Sequence, residues 1–343
     1  MFDAFSKKAE LLFKGLNQEK NNFCSFVSES LVLNQDGVLT PYCVFRNSRN
    51  LILDDKFNFL WIDTEKVFSQ LNNCNISFRQ KHPHDNCIDC LASSIHTKKD
   101  DKSMAPIKRL YLSHWKCCPF NCLYCEREKK EDISLSKHYD IMPVINQLID
   151  TMLIDKKTQI IFECGDATLH PDFDKLIYFF LDYGMTDIVV HTSALRYCQS
   201  VADSIGRNRA KVYIPIDSGS WYQMNKIKQL DKQNIILTNV NRYIQYQDKN
   251  AKNITFKYTL IKGTNDYTEG ILEFFLFTKN SRINNFYLDI EDKWFYEIRY
   301  EPPTYLLDII SFSENLAKMN DFSFEFSDKI NYLHSKKEIK KED

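Results

Sequence analysis

From about residue 106 to 290 the sequence changes repeatedly between short runs rich in Ile, Val, Phe and Tyr and longer runs with helical spacing. The strand-like runs are "IKRLYLS", "QIIFEC", "TDIVVHT", "AKVYIPID", "NITFKYTLIKG" and "INNFYLDI". Between them lie "MPVINQLIDTMLI", "DFDKLIYFFLDYG" stopped by Gly184, "ALRYCQSVADSIG", "SWYQMNKIKQL" with "IILTNVNRYIQ", and a helix near residues 267–279. Side chains recur every second residue on a strand and every 3.6 residues on a helix, which separates the two patterns. Parallel strands need a long crossover between them, and a helix supplies it. The expected fold class is therefore α/β, a parallel sheet with helices outside, either open or curled toward a barrel. In both forms the C-terminal strand ends share one rim, where such folds bind ligands.

The flanks read differently. Residues 1–100 begin with a helical pattern and continue with "SLVLNQDGVLTPYCVF", two strands about an Asp-Gly turn. This zone closes on "RQKHPHDNCIDCLASSIHTKKDDKS", and a linker is expected near residues 97–103. After residue 291 come a helical run at 305–319, a short strand in "FSFEF" and a solvated tail, "SKKEIKKED". The expected domains are a small cysteine-rich one over 1–100, the α/β one over 106–290, and a C-terminal extension over 291–343.

A chain of 343 residues with 43% hydrophobic and 27% charged residues can bury a large core. Its 8 glycines disfavour a phosphate loop or a dinucleotide fingerprint, both of which need glycines close together. A net charge of -1 gives no electrostatic case for nucleic acid or membrane, and no basic stripe with interleaved aromatics stands out. No apolar run is long enough for a membrane span, and "MFDAFSKKAELLFKGL" lacks a signal-peptide pattern, so a cytoplasmic location is expected.

The 11 cysteines are then read for a reducing compartment. Cys118, Cys122 and Cys125 form C-x3-C-x2-C directly after a strand. Three thiolates so close suit a soft centre, an iron–sulfur cluster or zinc. Zinc wants a fourth ligand, which Cys117 or His114 could supply. A cluster held by three thiolates keeps one iron open for chemistry.

"CPFNCLYC" resembles the signature of the radical S-adenosylmethionine enzymes, C-x3-C-x-aromatic-C, with Tyr124 in the aromatic place. The resemblance implies a partial (β/α)6 barrel whose cysteine loop follows the first strand. It implies a [4Fe-4S] cluster on Cys118, Cys122 and Cys125, with S-adenosylmethionine chelated at the open iron and Tyr124 lining it. One electron would cleave the cofactor to methionine and a 5'-deoxyadenosyl radical, which takes hydrogen from a substrate. "FECGDATLHPDF" resembles the family's G-G-E-P-L-x-H-P segment, with Cys164, Gly165, Asp166 and Ala167 on the leading positions. Asp166 would accept from the cofactor's amino group beside Gly165, a charge-assisted bond. Outside that context it reads as a turn or helix cap. Cys164 for glycine and Ala167 for proline depart from the pattern, and Cys164 adds bulk beside the cofactor. "HTSA" and "PIDSGS" end the third and fourth strands, where the family reaches the cofactor's carboxylate or ribose. Ser193, Asp217 and Ser218 are candidates there, while Ser220 is equally a helix cap. In "KYTLIKGTND" either Lys257 or Tyr258 faces inward, since alternation admits one. His170 and His191 read as strand-end hydrogen bonders.

The hairpin leading into Cys43, with Cys24 before it and "CIDC" (Cys87, Cys90) after it, resembles the SPASM or twitch type of auxiliary-cluster region. It would hold a second [4Fe-4S] cluster, or zinc through the same ligands, although such regions usually follow the barrel. The resemblance further implies an electron donor such as flavodoxin or ferredoxin and a peptide or protein substrate. A small molecule or sugar is the alternative substrate, and a non-catalytic, metal-stabilised binding protein is the alternative class. "DKWFYEIRYEPPTY" reads as a surface-to-core transition, with the border of a substrate groove as its second reading. Cys74, Cys117 and Cys198 read as ordinary cysteines, Cys198 inside a helix.

Overall fold

The strands expected on either side of the Asp-Gly turn are an antiparallel pair, β1 (Ser30–Asn34) and β2 (Leu39–Pro41), with Leu31 opposite Pro41 and Leu33 opposite Leu39. The computed structural model describes residues 29–34, 39–41, 106–125, 140–248 and 252–339. Cys24, Cys43, Cys87 and Cys90, and the N-terminal metal site expected of them, lie outside the described residues.

The chain divides into two compact units. The first contains the hairpin, the start of β3 (Arg109–Ser113) and most of α1 (Met142–Asp150). Val144, Ile145 and Leu148 form the buried stripe of α1. This helix stops short of the expected "MPVINQLIDTMLI", because Met152 turns left-handed at φ 57° and Leu153 N–H closes back on Leu148 C=O at 2.9 Å.

The second unit holds residues 111–113 of β3 and the sheet that continues from it. Its strands are β4 (Gln159–Phe162), β5 (Ile188–His191), β6 (Ala210–Pro215), β7 (Ile254–Leu260), β8 (Asn285–Ile290) and β9 (Ser323–Phe326), side by side in chain order. Each neighbour from β4 to β9 pairs parallel. The crossovers are α2 (Phe173–Tyr183), α3 (Gln199–Gly206), α4 (Trp221–Lys228), α5 (Gln233–Ile244), α6 (Thr268–Asn280), α7 (Asp292–Ile298) and α8 (Thr304–Met319); α9 (Asp328–Ile339) follows β9. Thus β9 carries the parallel sheet beyond residue 290, into the stretch expected as an extension.

One face of this sheet is an apolar layer. Val190, Val212, Ile214, Phe256, Tyr258, Phe286 and Leu288 are fully buried. They meet aromatic helix residues, with Phe162 against Phe173 at 5.1 Å and Tyr258 against Phe274 at 4.9 Å between ring centres. Each such side chain stabilises the fold by about 1.5–3 kcal/mol, so this layer dominates the core. Alternate residues form the opposite face, which is polar. Register places His191 beside Tyr213, Lys257 beside Tyr287, and Tyr287 beside Glu325. Lys257 is therefore the inward member of its pair, and Tyr258 lies in the helix layer with its hydroxyl donating to Asn265 C=O at 2.7 Å.

Helix α3 begins five residues later than the expected "ALRYCQSVADSIG". Ala194 is left-handed at φ 58°, and the Asn239 amide donates to the carbonyls of Ala194 and Leu195. Cys198 consequently sits at the N-cap rather than in the helix interior.

Candidate functional site

Buried side chains and backbone hydrogen bonds hold the loop after β3 in place. Trp115, Cys117 and Phe120 are buried, and Trp115 packs edge-on against His170 at 4.8 Å. Asp166 N–H donates to Cys117 C=O at 2.8 Å. Farther along, Asn121 N–H donates to Lys228 C=O at 3.2 Å and Leu123 N–H to Ile227 C=O at 2.9 Å. The last carbonyls of a helix have no partner within it. The cysteine loop uses those of α4, and Cys125 N–H closes a turn on Cys122 C=O at 3.1 Å. None of the three motif cysteines is in a disulfide; Cys118 and Cys122 are half-buried, and Cys125 is exposed. Cys117 points into the core at 2% exposure, away from that role.

Gly165 owes its identity to this loop. It is left-handed at φ 60°, and a Cβ there would lie 2.5 Å from Lys116 C and 2.6 Å from Cys117 O. Cys164, also left-handed at φ 71°, is exposed.

Tyr124 joins the loop to a polar cluster that sequence reasoning finds only in part. Its hydroxyl donates to Asp217 Oδ2 at 2.9 Å and accepts from Lys228 Nζ at 3.0 Å. Lys228 also pairs directly with Asp217 Oδ2. Asp217 is left-handed at φ 61°; its Oδ1 accepts from Thr259 N–H at 2.8 Å, and its carbonyl accepts from Asn265 Nδ2 at 2.9 Å. Burial works to lower the Lys228 pKa, but Asp217 and Cys122 outweigh it and the ammonium is held above its ordinary value. Burial, then Asp217 and Cys122, push the Tyr124 phenol well up, so it stays protonated. Burial also raises the Cys122 thiol, against the pull of Lys228. Lys228 has one signal in the sequence: with Met224 and Ile227 it completes the i, i+3, i+4 stripe that α4 buries.

Asp166 is buried and richly bonded. Oδ1 accepts from Thr168 N–H at 3.2 Å, the Thr168 hydroxyl at 2.6 Å and the Thr192 hydroxyl at 2.9 Å. Oδ2 accepts from the Ser193 amide at 3.3 Å and from the Ser193 hydroxyl. Asp166 thereby caps the short helical turn Ala167–Leu169, the local role its residue type suggests. Ser218 accepts from Ser220 N–H at 3.0 Å, and Ser220, although at the N-cap of α4, makes no side-chain capping bond. His170 Nδ1 accepts from Asp172 N–H at 3.0 Å, but His170 stands at the C-cap of the turn Ala167–Leu169 and not at a strand end.

On the polar face Lys257 pairs with Asp289 at 2.7 Å, and Lys329 reaches both Asp289 and Asp292 at 3.0 Å. Asp289 is buried, yet Lys257 and Lys329 hold its carboxyl far below the usual range. His191 stacks on Tyr213 at 5.1 Å. Burial, then the Lys257 charge, push its pKa from 6.5 down to about 3, against Asp289. Between those values the unfolded chain binds more protons than the folded one. The stability present above pH 6.5 is therefore lost as pH falls toward 3. His191→Gln is expected to flatten the fall in urea midpoint between about pH 7 and about pH 4.5. An unchanged slope contradicts that assignment.

A cleft of 610 Å³ opens beside the loop, lined by Leu123, Tyr124, Cys125, Glu291, Lys293, Tyr296 and Glu297. Four of these come from "DKWFYEIRYEPPTY" and the residue before it; the same segment sends Trp294 and Phe295 into the core, as the surface-to-core reading expects. Among the described residues no group of three or more His, Cys, Asp or Glu side chains is arranged to hold a metal ion. Among them, too, no helix is long and apolar enough to cross a membrane.

No protein-family model matches the chain. A stretch of 162 residues, 45% of this chain, is 28% identical to the GTPase Obg of Brachyspira hyodysenteriae and covers 23% of it. The phosphate loop of a GTPase needs two glycines five positions apart, followed by Lys, and none of the 8 glycines here is so spaced. In fold, 81% of the chain matches 58% of Streptococcus suis SuiB bound to the precursor peptide SuiA, at a TM-score of 0.51 and 12% identity. The chain thus spans little more than half the length of that protein. It also matches 63% of anSMEcpe with bound AdoMet, over 64% of its own length, at a TM-score of 0.48 and 15% identity. A radical SAM methyltransferase from Sphaerobacter thermophilus matches at a TM-score of 0.36 and 14% identity, over 50% of each chain. The likeness to SuiB is one of fold.

Proposed function

We propose that the chain is a radical S-adenosylmethionine enzyme in which Cys118, Cys122 and Cys125 hold a [4Fe-4S] cluster. The observation that carries this reading is the cysteine loop: three thiols outside any disulfide, on one loop at a strand end of a parallel sheet, with its backbone hydrogen-bonded in place. The donors suit the group in kind, because thiolates favour iron–sulfur centres and the Lys228 ammonium interacts with Cys118 and Cys122; the three thiols do not already surround one metal ion and would be drawn together on binding. When bound, the cluster with S-adenosylmethionine supplies an electron for cleavage of the cofactor and a 5'-deoxyadenosyl radical for hydrogen abstraction.

The chain's own residues do the rest. Asp166 is the acceptor for the cofactor's amino group; its buried carboxylate is held by Thr168, Thr192 and Ser193, and Ser193 would have to give way for it to do so. Gly165 lets the backbone pass close to the loop. Tyr124 lines the cofactor, with Ser193, Asp217 and Ser218 as further polar contacts. The substrate is a peptide or protein. Two observations support this: the fold is like that of SuiB, whose structure holds a precursor peptide, and the 610 Å³ cleft reaches Cys125. Cys24, Cys43, Cys87 and Cys90 hold a second cluster within 1–100, ahead of the barrel at 106–290 and the extension at 291–343. A flavodoxin or ferredoxin supplies electrons.

Reconstituted anaerobically, the full chain should carry about eight irons, and about four if the loop alone is filled. Reduced and given S-adenosylmethionine, it should release 5'-deoxyadenosine, with deuterium transferred from a labelled peptide substrate. Protein that binds iron yet releases none is a metal-stabilised binding protein instead.

A further inference from the structure

We propose that Lys228 is a positioning residue that sets the charge at the cysteine loop, its ammonium favouring the reduced state of the centre on Cys118, Cys122 and Cys125 and Asp217 opposing it. The inference rests on the reading of the loop given above.

The geometry couples ammonium and thiols rigidly. The loop is hydrogen-bonded to the carbonyls of Ile227 and Lys228 themselves, and Asn121 Nδ2 donates to Gln229 Oε1 at 3.0 Å. The backbone that carries the cation and the backbone that carries the thiols are therefore hydrogen-bonded to each other. Lys228 is 3% exposed, so neither water nor salt screens its field well. That field acts on Cys122 and Cys118. The ammonium cannot swing away, because it donates to both Tyr124 and Asp217 and lies 5.3 Å from the centre of the Tyr124 ring. Nor can Asp217, whose second oxygen and carbonyl are bonded to Thr259 and Asn265.

Taking up one electron adds one negative charge to the centre. A fixed cation beside it stabilises the reduced form and a fixed carboxylate destabilises it, so neutralising either residue shifts the midpoint potential in opposite directions. A purely structural pin has no such sign. The experiment uses the full chain, reconstituted anaerobically with iron and sulfide and poised with mediators and dithionite. The reduced fraction is followed by electron paramagnetic resonance. Lys228→Gln should lower the reduction equilibrium by about tenfold, about 59 mV for one electron. Asp217→Asn should raise it, and the double variant should return toward wild type. Should Lys228→Gln fail to keep its iron, Lys228→Arg must restore it, because the charge is restored. Single variants that retain iron but shift together, or not at all, overturn this inference alone, as does a failed Arg rescue. Wild-type protein that takes up no iron on the loop overturns the reading of the loop and this inference with it.

Discussion

Cys122→Ala protein, reconstituted and reduced, is expected to release no 5'-deoxyadenosine above the background of iron-free protein. The loop has no spare thiol. Cys117 is the nearest in sequence, but it is buried, and its carbonyl is bound by Asp166 N–H at 2.8 Å. On the other side the loop is tied to α4 at Asn121 and Leu123, on either flank of Cys122. A substitute ligand would have to break those bonds. The loss of iron should be about four atoms per chain, leaving any N-terminal centre in place. Cys117→Ala is the matched control: it removes a thiol one residue from Cys118, keeps the backbone bond to Asp166, and should retain both iron and release. Release that survives Cys122→Ala, or fails equally in Cys117→Ala, would remove the cysteine motif from the chemistry.

What the sequence hid was hidden for physical reasons. Period-two runs identify β3 to β8 because each strand is apolar on its helix-facing side, and periodicity is a local property. The choice between Lys257 and Tyr258 is not local. It is made by Asp289 on β8 and Phe274 on α6, which only the folded register brings alongside. Lys228 sits on a buried stripe, yet lysine is so rarely buried that its type argues for solvent. Its partner Asp217 stands out by position at a strand end, whereas the ion pair that joins them spans two elements. The late start of α3 depends on the Asn239 amide from α5, again a long-range contact. In α7, Trp294 and Phe295 enter the core while Lys293, Tyr296 and Glu297 line the cleft, so one stretch serves both readings of "DKWFYEIRY".

Gly165→Ala should cost far more than an ordinary loop substitution and should dislodge the cysteine loop. The left-handed backbone at φ 60° alone penalises alanine by about 1–2 kcal/mol. Gly263 measures that cost in isolation, since it has φ 66° and a Cβ added there would meet nothing within 4 Å. At Gly165 the methyl would meet Lys116 C at 2.5 Å, Cys117 O at 2.6 Å and Lys116 O at 2.7 Å, all of them main-chain atoms that cannot rotate aside. Relief requires the loop to move off the β4 end, which breaks the bond from Asp166 N–H to Cys117 C=O and carries Cys118 with it. Loss of a buried backbone bond adds about 1–3 kcal/mol, so Gly165→Ala should lose roughly 2–5 kcal/mol against roughly 1–2 for Gly263→Ala. Urea midpoints of the two iron-free variants compare the stabilities, and iron content after reconstitution reports on the loop. Equal midpoints and full iron in both would mean that the loop does not press on Gly165, and that its glycine answers to backbone conformation alone.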